Sequence, residues 1–289
     1  MVSIRPIALL LTLGLIALSP SSGHAGSAAS DHVNSSDVSL FAQSAAEALD
    51  RDFPSRDISF LLLDADTGRV LASRWDHLDM PIPMGSLVKP FTALAYGEQR
   101  EFQYPTHRCR GTATGCWLPR GHGEVDLTAA VAHSCNSYFR MLTAELNATE
   151  VTPIALRFGL EPPPRDAVGP QLAGLGNHWH TSPLRMSRAY LELVRRRNQP
   201  GVDQILDGMA ESARHGTGAE VRRDLPFSSV LVKTGTAVCT HARPGAGDGF
   251  VVALTPGDQP QFLLMVRVHG VPGAQAAKIA GQMLRRIED

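Results

Sequence analysis

Strand-like sequence gathers at the two ends of this chain, and a long stretch of helix and loop separates them. Near the start, Ile58-Ser59-Phe60-Leu61-Leu62-Leu63 is an apolar run. It ends at Asp64-Ala65-Asp66-Thr67-Gly68, a hairpin turn, and Arg69-Val70-Leu71-Ala72-Ser73 is the returning strand. Near the end, residues 229–236, 249–254 and 261–268 have strand character, divided by the turn signals Arg243-Pro244-Gly245 and Pro256-Gly257-Asp258. Two opening strands and three closing strands form one antiparallel five-stranded sheet. Residues 40–51 and 273–287 carry helical spacing and are expected to cover it. The predicted fold is therefore α+β, with a sheet lobe from about 40–85 and 224–289. An all-helical lobe of about 86–223 is inserted between the halves, and the cleft between the lobes is the natural place for a site.

The chain's 289 residues and 43% hydrophobic content suffice for a large core. A formal net charge of −1 excludes bulk attraction to nucleic acid or to anionic membrane. Arg195-Arg196-Arg197 ends a predicted helix and reads as a dipole-matched C-terminus. At the N-terminus, Arg5 precedes an apolar run over 7–18, followed by small residues and Gly23-His24-Ala25. This reads as a signal peptide over 1–25, cleaved near Ala25. Residues 26–39 read as a flexible linker, and the mature protein is expected outside the cytoplasm, in the periplasm or cell envelope. The apolar run is shorter than the ~20 residues of a membrane span; an uncleaved anchor is the alternative reading.

The four cysteines are Cys109, Cys116, Cys135 and Cys239. Export permits disulfides, and Cys109 and Cys116 flank a Gly/Thr-rich turn, so a local Cys109–Cys116 staple is expected. No C-x-x-C or H-E-x-x-H spacing is present, and His122-Gly123-Glu124 lacks the P-C-x-x-C partner of a deaminase zinc site. Neither a structural metal nor a cofactor is expected. His178 and His180, around Trp179, read as loop or core histidines. Asn34-Ser35-Ser36 and Asn147-Ala148-Thr149 match a glycosylation sequon, a pattern common by chance.

The chemistry-bearing residues fall in three short stretches. Ser86 and Lys89 are three residues apart at the start of a helical pattern over 86–98, so they share a face, and an amine beside a hydroxyl is the minimum for an activated serine. Pro90 fits best if Ser86 lies at the extreme N-terminus, where the positive end of the helix dipole favours developing negative charge. Ser134-Cys135-Asn136 falls at a junction between two predicted helices. Lys233-Thr234-Gly235-Thr236 lies on a strand whose alternation puts Thr234 and Thr236 on one face. Each stretch has a bland reading, as a cap, a capping pair or an edge-strand lysine. Their order and placement together argue against it.

In these three stretches the chain resembles the penicillin-binding transpeptidase family, whose signature is S-x-x-K, S-x-N and K-T-G. The likeness extends to Pro90-Phe91-Thr92-Ala93-Leu94, to Gly121-His122-Gly123, to Ser137-Tyr138-Phe139, and to Thr181-Ser182-Pro183-Leu184 with Ala189-Tyr190. It covers the chain from about Phe41 onward. The resemblance implies that Ser86 is an acylated nucleophile and Lys89 its base. It implies that Ser134 relays a proton to the leaving amine and that Asn136 holds the substrate backbone. Lys233, Thr234 and Thr236 would take the substrate's carboxylate, with Gly235 admitting close approach. The N–H groups of Ser86 and Thr236 would form the oxyanion hole. The implied substrates are peptidoglycan stem peptides ending in D-Ala-D-Ala, with β-lactam antibiotics as mimics, in a DD-transpeptidase or DD-carboxypeptidase.

Large members of that family carry an N-terminal module and a membrane anchor; this sequence shows neither the module nor a convincing anchor, so either donor and acceptor strands are bound differently or docking onto the polymer needs a wall-assembly protein partner. A class D β-lactamase is the nearest rival, though that class has an apolar residue at the position of Asn136. A sensor of β-lactams or muropeptides without turnover, or a structural partner in wall assembly, is the second rival.

Overall fold

The computed structural model describes residues 35–225, 228–239 and 245–288. The expected signal peptide, linker residues 26–34 and the Arg243-Pro244 turn lie outside the described residues. Helix α1 (Ser35–Asp52) begins five residues ahead of the helix expected at Leu40. It leads into β1 (Ile58–Asp64) and β2 (Val70–Arg74), which pair antiparallel around the Asp64–Gly68 turn. There the Asp64 carboxylate accepts from the Thr67 N–H at 2.7 Å, the local bond that makes aspartate a turn former.

The insert follows. Strand β3 (Ile82–Pro83) runs into a 3-10 turn, Gly85–Val88, and helix α2 (Lys89–Glu98). Pro90 explains the tight turn. It has no N–H to give the Ser86 carbonyl, and the Lys89 N–H takes that carbonyl instead, three residues on rather than four. Beyond α2, β4 (His107–Cys109) pairs with β5 (Gly123–Val125), and α3 (Leu127–Ala132), α4 (Asn136–Thr143) and α5 (Ala148–Arg157) follow. Strand β6 (His180–Thr181) pairs with β3 and enters α6 (Pro183–Arg195), then α7 (Val202–His215) and the short α8 (Ala219–Asp224). The insert is thus helical apart from two small strand pairs, whereas an all-helical lobe was expected. Strands of two or three residues are too short to show a period of two.

The chain closes with β7 (Leu231–Ala237), β8 (Asp248–Thr255), β9 (Phe262–His269) and α9 (Gly273–Glu288). The five long strands form one sheet in the order β2-β1-β9-β8-β7, with every neighbouring pair antiparallel. The sheet is covered on both faces, which is why its strands read as unbroken apolar runs. Phe60, Leu62, Val251, Ala253 and Leu264 pack with α1 and α9. The alternate residues Leu61, Leu63, Val252, Leu254 and Met265 pack with the helical insert. Fully burying each of these Phe, Leu, Val and Met side chains is worth roughly 1.5–3 kcal/mol. Among the described residues, no helix is long and apolar enough to cross a membrane.

Candidate active site

A cleft of about 360 Å³ lies where the edge strand β7 meets the insert. Ser86, Ser134, Asn136, Thr217, Thr234 and Thr236 line it, and the half-exposed Trp117 stands at its rim with Leu175. Three segments distant in sequence supply these groups.

The first segment is the 3-10 turn with Ser86. Three glycines let it approach β7 and α9. Gly85 has φ +56°, and a Cβ there would lie 2.0 Å from the Thr236 carbonyl oxygen. A Cβ on Gly235 would lie 2.5 Å from the Met84 carbonyl oxygen, and one on Gly273 would lie 2.3 Å from that of Gly235. Gly235 lines the cleft, as a residue expected to admit close approach of a ligand should, and the side where its Cβ would stand is filled by the turn that carries Ser86.

The second segment joins α3 to α4. His133 ends α3, and Ser134 follows with φ +49°. The Ser134 N–H bonds the Val131 carbonyl at 3.2 Å and the Cys135 N–H bonds that of Ala130 at 2.9 Å. This is the helix-ending motif that ordinarily takes glycine at its left-handed position. A serine there costs on the order of 1–2 kcal/mol of backbone strain, and it turns the hydroxyl into the cleft.

Two buried lysines hold this junction. Lys89 Nζ donates to the Ser134 carbonyl at 2.8 Å and to Asn136 Oδ1 at 2.7 Å, with Ser134 Oγ at 3.4 Å. It lies 5.1 Å from the centre of the Phe139 ring. Burial lowers its pKa to about 7; the fields of Cys135 and Cys116 oppose the shift and that of Arg140 adds to it. Lys233, from β7, donates to Ser134 Oγ at 2.9 Å and to the Thr234 carbonyl at 2.7 Å. Burial, then the charge of Lys89, holds the Lys233 ammonium well below its ordinary range. Thr234 and Thr236 share one face of β7 and Lys233 the other. Thr234 Oγ1 donates to Thr217 Oγ1 at 2.6 Å, and Thr236 Oγ1 accepts from the Gly273 N–H at 3.0 Å.

The structure therefore brings all the residues singled out in sequence to one cleft or to its walls. Sequence reasoning missed Thr217, in the turn between α7 and α8. A lone threonine in a Gly-rich turn carries no signal, and only the fold sets it against Thr234. Cys109, Cys116 and Cys135 are free thiols in the structure. The expected Cys109–Cys116 staple is not formed. Instead the sulfurs of Cys109 and Cys116 each lie 3.5 Å from Nδ1 of His122, beside Cys135. These residues could hold a metal, contrary to the reading of the spacing. His178 and His180 are exposed, and Trp179 between them is buried with its Nε1–H on the Glu161 carbonyl at 2.8 Å.

The model of the penicillin binding protein transpeptidase domain matches residues 58–289. The chain belongs to this family. No curated protein matches it in sequence. Among solved structures it is similar to PBP2 of Pseudomonas aeruginosa in complex with WCK 5153, with TM-score 0.70 and 18% identity over 86% of this chain and 73% of that one. It is similar to the transpeptidase domain of penicillin-binding protein 3 from Burkholderia pseudomallei, with TM-score 0.67 and 17% identity over 88% and 92% of the two chains. It also resembles PBP2 of Helicobacter pylori in its complex with MreC, with TM-score 0.71 and 16% identity over 85% of this chain and 62% of that one. At these identities the likeness is one of fold, and it agrees with the α+β architecture read from the sequence.

Proposed function

We propose that this transpeptidase-family domain is a serine acyltransferase that acts on peptidoglycan stem peptides ending in D-Ala-D-Ala, through an acyl-enzyme on Ser86. One observation carries the reading: a buried amine, Lys89, with its pKa lowered to about 7, is held by the Ser134–Asn136 junction at the cleft where Ser86 opens. An ordinary lysine, charged up to ~10.4, could not take a proton at neutral pH.

The steps follow from the groups present. The Ser86 oxygen attacks the carbonyl carbon of the terminal D-Ala-D-Ala peptide bond while neutral Lys89 takes the hydroxyl proton. The N–H groups of Ser86 and Thr236 receive the developing oxyanion; one such donor is worth ~3–4 kcal/mol of barrier. The intermediate collapses, the C–N bond breaks, and the leaving amine gains a proton through Ser134 with Lys233 behind it. Thr234 and Thr236 hold the terminal carboxylate, whose negative charge beside Lys233 favours the charged form of that buried amine, and Asn136 orients the peptide. An acceptor amine or water then attacks the ester, and the same proton path runs in reverse. β-Lactams acylate Ser86 by the same route. The family's action on the wall implies export, and the complex of the H. pylori relative with MreC motivates a wall-assembly partner for this chain.

The test is a fluorescent-penicillin gel with intact mass, on the wild type and Ser86→Ala. A lasting adduct on the wild type alone supports the reading, as does D-Ala release from a stem pentapeptide. Equal labelling of Ser86→Ala overturns it. Rapid return to the free mass with the drug consumed makes the protein a β-lactamase instead. Acylation without turnover of any stem peptide makes it a sensor.

A further inference from the structure

Four side chains converge behind the cleft. Cys109 ends β4, Cys116 follows the 3-10 turn Gly111–Thr114, His122 precedes β5, and Cys135 caps the N-terminus of α4. Their sulfur and nitrogen atoms all lie within 4.8 Å of one another. Cys116 Sγ is 3.8 Å from Cys135 Sγ, and both Cys109 Sγ and Cys116 Sγ are 3.5 Å from His122 Nδ1.

These three separations match three of the six edges of a coordination tetrahedron, and the other three lie within 4.8 Å. With zinc–sulfur bonds of ~2.3 Å and a zinc–nitrogen bond of ~2.0–2.1 Å, tetrahedral angles put sulfurs ~3.8 Å apart and sulfur ~3.5 Å from nitrogen. A disulfide does not produce them, and one thiol hydrogen bond accounts for a single 3.5 Å contact to His122 Nδ1, not for two. A disulfide needs its sulfurs at ~2.05 Å. Thiols packed as small apolar groups have no reason to crowd one imidazole nitrogen. A thiol hydrogen bond uses the nitrogen's single lone pair or single proton, yet two sulfurs stand at the same distance from it.

The surrounding backbone is shaped to make this cradle. Gly111 has φ +69° and Gly121 has φ +78°. A Cβ on Gly111 would lie 1.9 Å from the Pro119 carbonyl oxygen, and one on Gly121 would lie 2.3 Å from that of Cys109. The His122 ring is stacked on His133 at 5.1 Å and meets Trp117 edge-on at 5.4 Å, which fixes its plane.

We infer that Cys109, Cys116, His122 and Cys135 form a structural zinc site. Three thiolates and one imidazole in a tetrahedron are the donor set and geometry of zinc. Four protein ligands leave no open position, so the metal does not do chemistry on substrate. Binding displaces three thiol protons to solvent. Its consequence lies in the chain: Cys135 stands between Ser134 and Asn136, so the metal would tie the strained junction to the β4–β5 hairpin. It is a positioning device for the S-x-N segment.

The full-length protein, purified without chelator, is to be assayed for metal by elemental mass spectrometry. The inference expects about one zinc per chain, in Ser86→Ala as in the wild type, so the result stands apart from acylation. Cys116→Ser and His122→Ala should lose the zinc, and Cys239→Ser should keep it. Should the ligand variants not fold, the wild type decides. Cys109, Cys116 and Cys135 should resist alkylation in the native protein and react once a chelator strips the zinc. Cobalt(II) should replace it with intense tetrahedral d–d bands and a thiolate charge-transfer band. A zinc-free protein whose native thiols alkylate freely overturns the inference, as does a Cys109–Cys116 disulfide in a non-reduced peptide map.

Discussion

Lys233 Nζ donates to Ser134 Oγ at 2.9 Å, joining two residues that lie 99 positions apart in the chain. This bond explains why a serine occupies a backbone position, φ +49°, that suits glycine. Two substitutions separate the hydroxyl from the backbone strain, because both remove the hydroxyl and only one relieves the backbone. Ser134→Gly is expected to be more stable than Ser134→Ala by about 1 kcal/mol. Penicillin acylation should fall in both by a similar factor, on the order of 10²-fold. Thermal unfolding and the acylation rate check the pair; equal stabilities would remove strain from the account.

The pH dependence of acylation follows from Lys89. Burial destabilises its charged form and lowers its pKa to about 7. In the proposed mechanism the neutral amine is the base, and its fraction rises with pH. The second-order rate of acylation by benzylpenicillin should climb about tenfold per pH unit below that value and level off above it. An exposed lysine would keep the rate climbing to ~10.4. Lys89→Arg, which cannot release its proton, should lose 10²-fold or more of the rate (roughly the worth of a general base) and the inflection with it. Stopped acylation across a pH series reads both.

Much of this site was legible because its chemistry needs particular residues at fixed local spacings. Ser86 and Lys89 are one helical turn apart, and Thr234 and Thr236 alternate on a strand, so each pair could be read from its own segment. Thr217 could not, since what brings it to Thr234 is the turn after α7, and nothing local marks it. The cysteine cluster failed for a similar reason. Its spacing, C-x6-C-x5-H-x12-C, matches no short motif. Whether Cys109 and Cys116 face each other or a common centre depends on how the Gly111 and Gly121 turns fold and on where α4 delivers Cys135.

Gly235 gives a direct test of how the Ser86 turn is seated. A methyl group there would lie 2.5 Å from the Met84 carbonyl oxygen and 3.0 Å from Leu87 Cγ. Either β7 or the turn must move. Gly235→Ala is expected to cost about 1–3 kcal/mol, as overpacking does. The displaced turn should slow acylation well beyond what the small change in side chain would suggest. A melting curve and a penicillin titration check this; a variant with wild-type stability and rate would show that the turn yields freely.

The fold was legible where sequence periodicity is strong. The runs 58–63, 249–254 and 261–268 became β1, β8 and β9 because sheets buried on both faces need apolar residues at every position. The β3–β6 pair was missed because two residues carry no period, and β4–β5 is legible only as far as residues 100–119 read as a loop or short hairpin. Pro90 fits a helix best if Ser86 lies at its extreme N-terminus. The structure meets that condition by placing Ser86 in a 3-10 turn whose carbonyl Lys89 takes over.

Tyr190 tests whether the Ser86 turn is held from below. It is fully buried on α6, and its hydroxyl donates to the Leu87 carbonyl at 2.8 Å, one residue beyond Ser86. Its ring meets Phe91 of α2 edge-on at 5.6 Å. Tyr190→Phe keeps the ring and its packing but leaves the Leu87 carbonyl without this donor. The expected cost is about 1–3 kcal/mol, the penalty of an unsatisfied buried acceptor. A merely structural role would lower the melting temperature and leave the chemistry of the folded fraction intact. A positioning role predicts more: slower acylation of the folded protein, with the Lys89 inflection unmoved, because the base keeps its burial while Ser86 loses its fixed aim. Measuring the acylation rate across pH well below the melting temperature separates the two, and an unchanged rate would leave Tyr190 a packing residue only.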